Sequence, residues 1–421
     1  MRRLAFIAIG FALGASAPAS TAASRERLVI SADKIYTAPD AKPILNGAVL
    51  IQGDRIASVS DQRSRIATPE GTLPSPCRGV VVAGFQNSHV HFIESRFRDA
   101  TKLPAAELAQ GLEEMLTRWG YTTVFDIASD QDNTFALRAR VERGEVIGPR
   151  ILTTGLPLFP VNGIPSYIDD LPADMLARMH QPCDAAEARR DVRGNLAKGA
   201  DATKIFMITS ANMNEMLSLS GEVARAAAEE THAKGKLLFA HPTSVDGMRA
   251  GLDAGVDVFV HTTLGEKKPW DEALVRRMVR QRVSVIPTFK LWYYELAKES
   301  VPANISDQMV GATYDELRAF KSAGGQILFG TDVGYMHDHD PTDEYVLMQK
   351  SGLAPMEILA SLTTAPADRW KESKVRGRVQ AGMAADLVVL AADPADDVKN
   401  FANVRCVFRA GKLIYASKEP K

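Results

Sequence analysis

The chain has 421 residues, 46% of them hydrophobic and 24% charged, with a net charge of −1. That is enough apolar material for one large core plus a smaller satellite domain, or for two to three average domains. The nearly cancelling charges give no electrostatic reason to expect nucleic acid or an anionic membrane surface as partner, and a small-molecule substrate is expected.

The N-terminus carries a short positive region at Arg2 and Arg3, an apolar run from Leu4 to Ala15, and small-residue cleavage sites at Ala15–Ala17 and Thr21–Ala23. This three-part pattern predicts a secretory signal peptide over residues 1–23, removed on export. The apolar run is too short to span a bilayer comfortably, so no stable membrane insertion is expected after cleavage. The mature protein is then periplasmic or extracellular.

Short strand-like runs follow. Leu28–Ile30 is one, and Ala48–Ile51 and Arg55–Val59 flank a Gly53-Asp54 turn. The C-terminal end reads the same way, with Asp386–Leu390 and then Val404–Phe408 and Lys412–Tyr415 around Ala410-Gly411. Two strand-rich ends around a different middle predict one small β-sandwich, assembled from residues 24–80 and 375–421.

Residues 81–374 alternate apolar runs with helical patterns. The runs are Val80–Phe85, Thr122–Ile127, Arg150–Thr153, Ala202–Met207, Lys236–Ala240, Val256–Val260, Val283–Phe289 and Gln326–Phe329. Helical patterns include Ala105–Trp119, Gly221–Lys234, Ser244–Ala254 and Tyr314–Ser322. Such alternation implies α/β architecture with a parallel sheet, and eight runs favour a closed (β/α)8 TIM barrel. An open doubly wound sheet would carry a Gly-rich phosphate loop after its first strand. Here the first run leads into histidines instead.

The three cysteines, Cys77, Cys183 and Cys406, are far apart. An odd count argues against a disulfide framework, and three apolar thiols are expected, with one chance pair left open.

Chemistry concentrates where the runs end. Asn87-Ser88-His89-Val90-His91 places two imidazoles two residues apart, hence on one face of a strand, as a ready pair of metal ligands. Four later runs also carry a ligand-type residue: Lys204 within the fourth, His241 after the fifth, His261 after the sixth and Asp332 after the eighth. Strand C-termini of a barrel converge on one rim, so these six would meet in space. Singly, each has a bland reading: a hydrogen-bonded histidine, a capping aspartate, or a lysine reaching solvent along its stem. Four of the eight histidines falling at these points is a poor match to chance.

These residues, with Gly120-Tyr-Thr-Thr-Val-Phe-Asp126, Gly199-Ala-Asp-x-x-Lys204, Gly330-Thr-Asp332 and Gly382-Met-x-Ala-Asp386-Leu-Val, give the chain its resemblance to the amidohydrolase superfamily. It is most similar to the imidazolonepropionase-like and Xaa-Pro dipeptidase-like branch, over almost the whole mature chain. One departure is Ala83-Gly84-Phe85, where the family usually has Pro-Gly-Leu or Pro-Gly-Ile. The resemblance implies a barrel with a small β-sandwich and two divalent metal ions, zinc by default. His89, His91 and Asp332 would bind one ion, His241 and His261 the other, and a carbamylated Lys204 would bridge them. It also implies hydrolysis of an amide or peptide-like bond, as in dipeptides or N-acyl amino acids, with Asp332 as general base and acid.

Cyclic amidine or deaminase-type substrates, lactones and phosphotriesters are alternative readings of the same residues, and a catalytically silent barrel scaffold is the non-enzyme reading. Substrate contacts are sought in the loops. Tyr167 follows the third run, and Lys290 and Trp292 follow the seventh, where a cation beside aromatics could receive a carboxylate and an apolar body. The His337–Asp340 run is read as a solvated rim loop. A homo-oligomer is allowed, since relatives are often multimeric.

Overall fold

The computed structural model describes residues 27–61, 69, 71–168, 171–212, 215–266 and 269–418. The expected signal peptide lies outside them. Among the described residues, no helix is long and apolar enough to cross a membrane.

Both ends of the chain build one nine-stranded sheet. Arg27–Ile35 is shared by its two halves. Residues 27–31 pair antiparallel with Ala48–Gln52, while Ala32, Lys34 and Ile35 pair parallel with Gly79–Ala83. Gly79–Ala83 continues antiparallel to Leu387–Leu390, which leads to Val404–Arg409 and Lys412–Ala416. The inward faces of the two halves, including Ile30, Ile51, Ile56, Val81, Val389 and Phe408, enclose an apolar core of their own.

The middle of the chain is α/β and resembles a TIM barrel. Its parallel strands are β1 (Phe85–Val90), β2 (Tyr121–Asp126), β3 (Arg150–Thr153), β4 (Ala202–Phe206), β5 (Leu237–His241), β6 (Val258–Val260), β7 (Ser284–Ile286) and β8 (Gln326–Ile327). The ladder is not one closed ring. It forms two arcs, β1–β2–β3 and β4–β5–β6–β7–β8. Hydrogen bonds join their edges: Ser88 N–H donates to the Phe329 carbonyl (2.8 Å) and His91 N–H to the Val333 carbonyl (2.8 Å) on one side. On the other, Asp201 N–H donates to the Thr153 carbonyl (2.7 Å) and Leu158 N–H to the Lys204 carbonyl (3.0 Å).

The side chains sort by strand parity. Val124, Ile205, Leu238, Ala240, Phe259 and Val285 face outward to the helices. Phe125, Ala202, Phe239, Val258, Val260 and Ile286 fill the interior.

Two expectations are corrected. The run Val80–Phe85 is not one barrel strand: it divides at Gly84 between the terminal sheet and β1. A Cβ at Gly84 would lie 2.3 Å from Thr122 Oγ1, so the seam takes no side chain. The cysteines are not three apolar thiols. Cys77 and Cys406, 329 residues apart, form a disulfide, and Cys183 is free and exposed. Spacing could not disclose a bridge that depends on both chain ends meeting in one sheet. Replacing Cys77 and Cys406 with Ser is expected to lower the unfolding free energy by about 2–5 kcal/mol, since the bridge closes a very long loop. The check is a lower Tm in the variant, reproduced by reductant in the wild type and unaffected by reductant in the variant.

Candidate active site

All six residues singled out at strand ends line a single cavity of about 290 Å³. Strand parity delivers some of them directly. On β4, Ala202 and Lys204 share the inward face, and on β5, Phe239 and His241 do the same. Parity alone would throw His261 outward, because Val258 and Val260 face in. A left-handed backbone at His261 (φ 76°) re-aims it. Thr243, Thr288 and Asp332 also have positive φ, at 64°, 46° and 61°. Each non-glycine residue in this region costs about 1–3 kcal/mol, and such strain collects at functional sites.

Asp332 is set against β1 by its own N–H, which donates to the His89 carbonyl (2.9 Å). Close passage of the two segments requires Gly334: a Cβ there would fall 1.8 Å from the His91 carbonyl oxygen.

The tightest group is His89, His91 and Asp332. Their Nε2 atoms lie 3.1 Å apart, and Asp332 Oδ1 is 3.2 Å from His89 Nε2 and 2.9 Å from His91 Nε2. Zinc bonds of about 2.0–2.1 Å at tetrahedral angles place neighbouring ligand atoms about 3.3 Å apart, so this triangle fits one divalent cation. His261 stands next to it, with Nε2 3.8 Å from Asp332 Oδ2. The His261 ring is 4.6 Å from that of His241, which stacks on Phe206 at 4.9 Å.

Electrostatics agree with a cation site. Burial pushes the His89 pKa down to about 4, against the pull of Asp332, and holds His241 and His261 well below the usual imidazole range. Neutral imidazoles are what metals bind. Burial opposes the Asp332 charge, but His89 and His91 outweigh it and keep the carboxyl well below its ordinary range. Lys204 is 1% exposed, and burial lowers its pKa to about 7. Its Nζ lies 5.1 Å from the Phe206 ring centroid.

Supporting contacts fix the ring of His261. Thr288 Oγ1 donates to the Pro287 carbonyl (2.8 Å), so its oxygen accepts from His261 Nδ1 (2.5 Å), leaving Nε2 a lone pair aimed into the cavity. The backbone that follows Thr288 is held by Glu344, a buried carboxyl group that accepts from the Phe289 and Lys290 amides at 3.0 and 2.8 Å.

Tyr167 and Trp292 line the cavity. Trp292 Nε1 donates to Thr262 Oγ1 (2.9 Å). Lys290 is corrected: it is not among the lining residues. Its ammonium is engaged by Asp338 (2.7 Å) and the Asp340 carbonyl (2.6 Å). The His337–Asp340 loop stays outside the cavity, tied down by His339 to Glu94 (2.6 Å). Sequence reasoning missed the apolar wall and Glu295 and Tyr335. Their signal is weak, because they sit in long connections or on helix faces without periodic marking.

The amidohydrolase family pattern matches residues 80–414, most of the chain. The chain belongs to the amidohydrolase family. It is an enzyme, a hydrolase acting on carbon–nitrogen bonds. Among proteins similar to this amidohydrolase is the ochratoxinase of Aspergillus niger, 25% identical over 418 residues and covering 89% of this chain and 84% of that protein. The A. niger ochratoxinase crystal structure superposes with a TM-score of 0.76 at 21% identity, over 94% of this chain and 96% of that one. A Xaa-Pro dipeptidase with methionine bound in its active site gives 0.78 at 20% identity, over 93% and 100%. A putative prolidase from Bifidobacterium longum gives 0.78 at 24%, over 95% and 97%. At these identities the structural likeness establishes the fold.

Proposed function

We propose that this amidohydrolase cleaves an amide or peptide-like bond in a small molecule with two divalent cations, zinc by default. In this reading the two arcs of strands act as one barrel. His89, His91 and Asp332 would hold one cation, His241 and His261 the second, and Lys204 as a carbamate would complete the ligand set. The observation that carries the reading is the Nε2–Nε2–Oδ1 triangle of His89, His91 and Asp332, spaced at 2.9–3.2 Å. Cations bound there supply a water nucleophilic at neutral pH and polarise the scissile carbonyl.

The chain's own residues do the rest. Asp332 accepts the proton of the attacking water and returns it to the leaving nitrogen. Lys204 as a carbamate would exchange one ammonium for an anion with two oxygens, removing the repulsion that a positive side chain would exert on both cations. The amide assignment is supported by the ochratoxinase and the dipeptidase and prolidase structures among the similar proteins. Export is part of the same proposal, and the Cys77–Cys406 disulfide supports it, since such bridges persist in oxidising compartments.

The test is metal counting together with a hydrolysis screen of neutral amides, dipeptides, N-acyl amino acids, lactones and phosphotriesters. Two metals per chain with turnover of amides sustains the proposal; turnover of phosphotriesters or lactones alone rejects the amide assignment.

Thr288 offers a separate check on the metal ligands. Thr288→Val removes the acceptor for His261 Nδ1 and is expected to weaken metal binding about 10–100-fold, as partners of ligating histidines commonly do. Thr288→Ser keeps the hydroxyl and should restore it. Unchanged affinity in the valine variant, measured by competition with a chromogenic chelator, removes His261 from the ligand set.

A further inference from the structure

Away from the histidines the cavity turns apolar, with Ile93, Phe159, Ile168, Leu171, Met179 and Leu291 on its wall. Phe159, Leu171 and Met179 belong to a separate buried apolar cluster, contributed by the long connection after β3 together with Phe206. One lining carboxylate has no part in the hydrolysis outlined above. Glu295 projects from the helix Phe289–Lys298. Tyr335 donates to its Oε1 (2.8 Å), and Lys298 Nζ stands 3.5 Å from the same oxygen. Oε2 takes no hydrogen bond from the described residues. The Tyr167 and Tyr335 rings, 5.6 Å apart, stand beside this carboxylate, and its charge adds to the effect of burial in pushing both phenols above their ordinary range.

Among the described lining residues, Lys204 is the one lysine or arginine, and it sits at the histidine end. Lys290 is already bound to Asp338 and Asp340. A substrate carboxylate laid along the apolar wall would therefore lose its hydration, meet no cation among the lining residues of that end and face the Glu295 carboxylate, whose partner Lys298 stands outside the lining.

We propose that the substrate is a neutral amide with a bulky apolar group laid along this wall and no free carboxylate, and that Glu295 is the residue that rejects carboxylates. This rests on the hydrolytic reading for its turnover readout, but not for its binding readout.

The experiment compares N-benzoylphenethylamine with N-benzoylphenylalanine on the metal-loaded full chain. The two share the amide and both rings and differ in one carboxylate. The neutral compound is expected to have a kcat/KM at least about tenfold higher, a ratio equivalent to about 1.4 kcal/mol. The ratio should shrink in Glu295→Gln, chiefly through KM of the acid. Calorimetric titration of the same protein with the same pair reads the preference even if neither compound is cleaved. Absent turnover with tighter binding of the neutral compound counts against the amide reaction and keeps the exclusion of carboxylates by Glu295. Equal or tighter binding of the acid, or a preference untouched by Glu295→Gln, overturns the proposal whatever the turnover.

Discussion

Asp332→Asn is expected to cut kcat/KM by about one hundred- to ten-thousand-fold while most of the metal stays bound. The magnitude is that of a positioned general base and acid. The substitution keeps side-chain size in a buried place where Asp332 is 4% exposed, so the strand-end backbone has no reason to move. An amide oxygen can still face His89 and His91 Nε2 at the 3.2 and 2.9 Å separations and share a cation with them. It cannot take the proton of the attacking water. The two roles proposed for Asp332 therefore separate: ligand geometry survives in part, proton transfer does not. Asp332→Ala, which removes both, should lose metal as well as turnover. The measurement is metal content by mass spectrometry alongside the pH dependence of kcat/KM. Near-wild-type turnover in the asparagine variant, or complete loss of metal from it, would contradict the separation.

The six polar residues of the site were readable because each is tied to a strand end, where a two-residue period and a parallel array leave few directions to point. His89-x-His91 and Lys204 follow from alternation. His261 is a different case. Its position was legible but its direction was not, because a positive φ reverses the parity set by Val258 and Val260. Lys290 shows the opposite failure. Its place next to Trp292 suggested a substrate contact, yet the loop that follows Asp332 brings Asp338 within 2.7 Å and occupies it. That pairing crosses two connections and leaves no mark in either. Phe159, Leu171 and Met179 were invisible as a wall for a similar reason: they lie in a long irregular connection, and only tertiary packing gathers them. The eighth strand has two residues, Gln326 and Ile327, so the placement of Asp332 depends less on a ladder than on its hydrogen bond to the His89 carbonyl.

Lys204→Met separates the binding role of this side chain from its cost. In the metal-loaded enzyme, turnover should fall to the background of the assay and the metal count should drop below two per chain, because thioether sulfur cannot carry a carbamate between two cations. In the chelated, carbon-dioxide-free protein the same substitution should stabilise the fold. The ordinary lysine pKa of 10.5 is lowered to about 7 here by burial. Below the folded-state value the ammonium is protonated in both states, and the folded state bears the full penalty, on the order of 5 kcal/mol. Between the two values the unfolded chain binds more protons than the folded one, so wild-type stability rises with pH across that window and levels off above 10.5. The methionine variant lacks this term. Its advantage should therefore be largest below pH 7 and fade toward 10.5, as read from denaturant midpoints at a series of pH values. A chelated variant less stable than the wild type at every pH would mean that the Lys204 amine has a compensating partner. The cavity would then have no need of a carbamate, and the two-cation centre would lose the group that joins it.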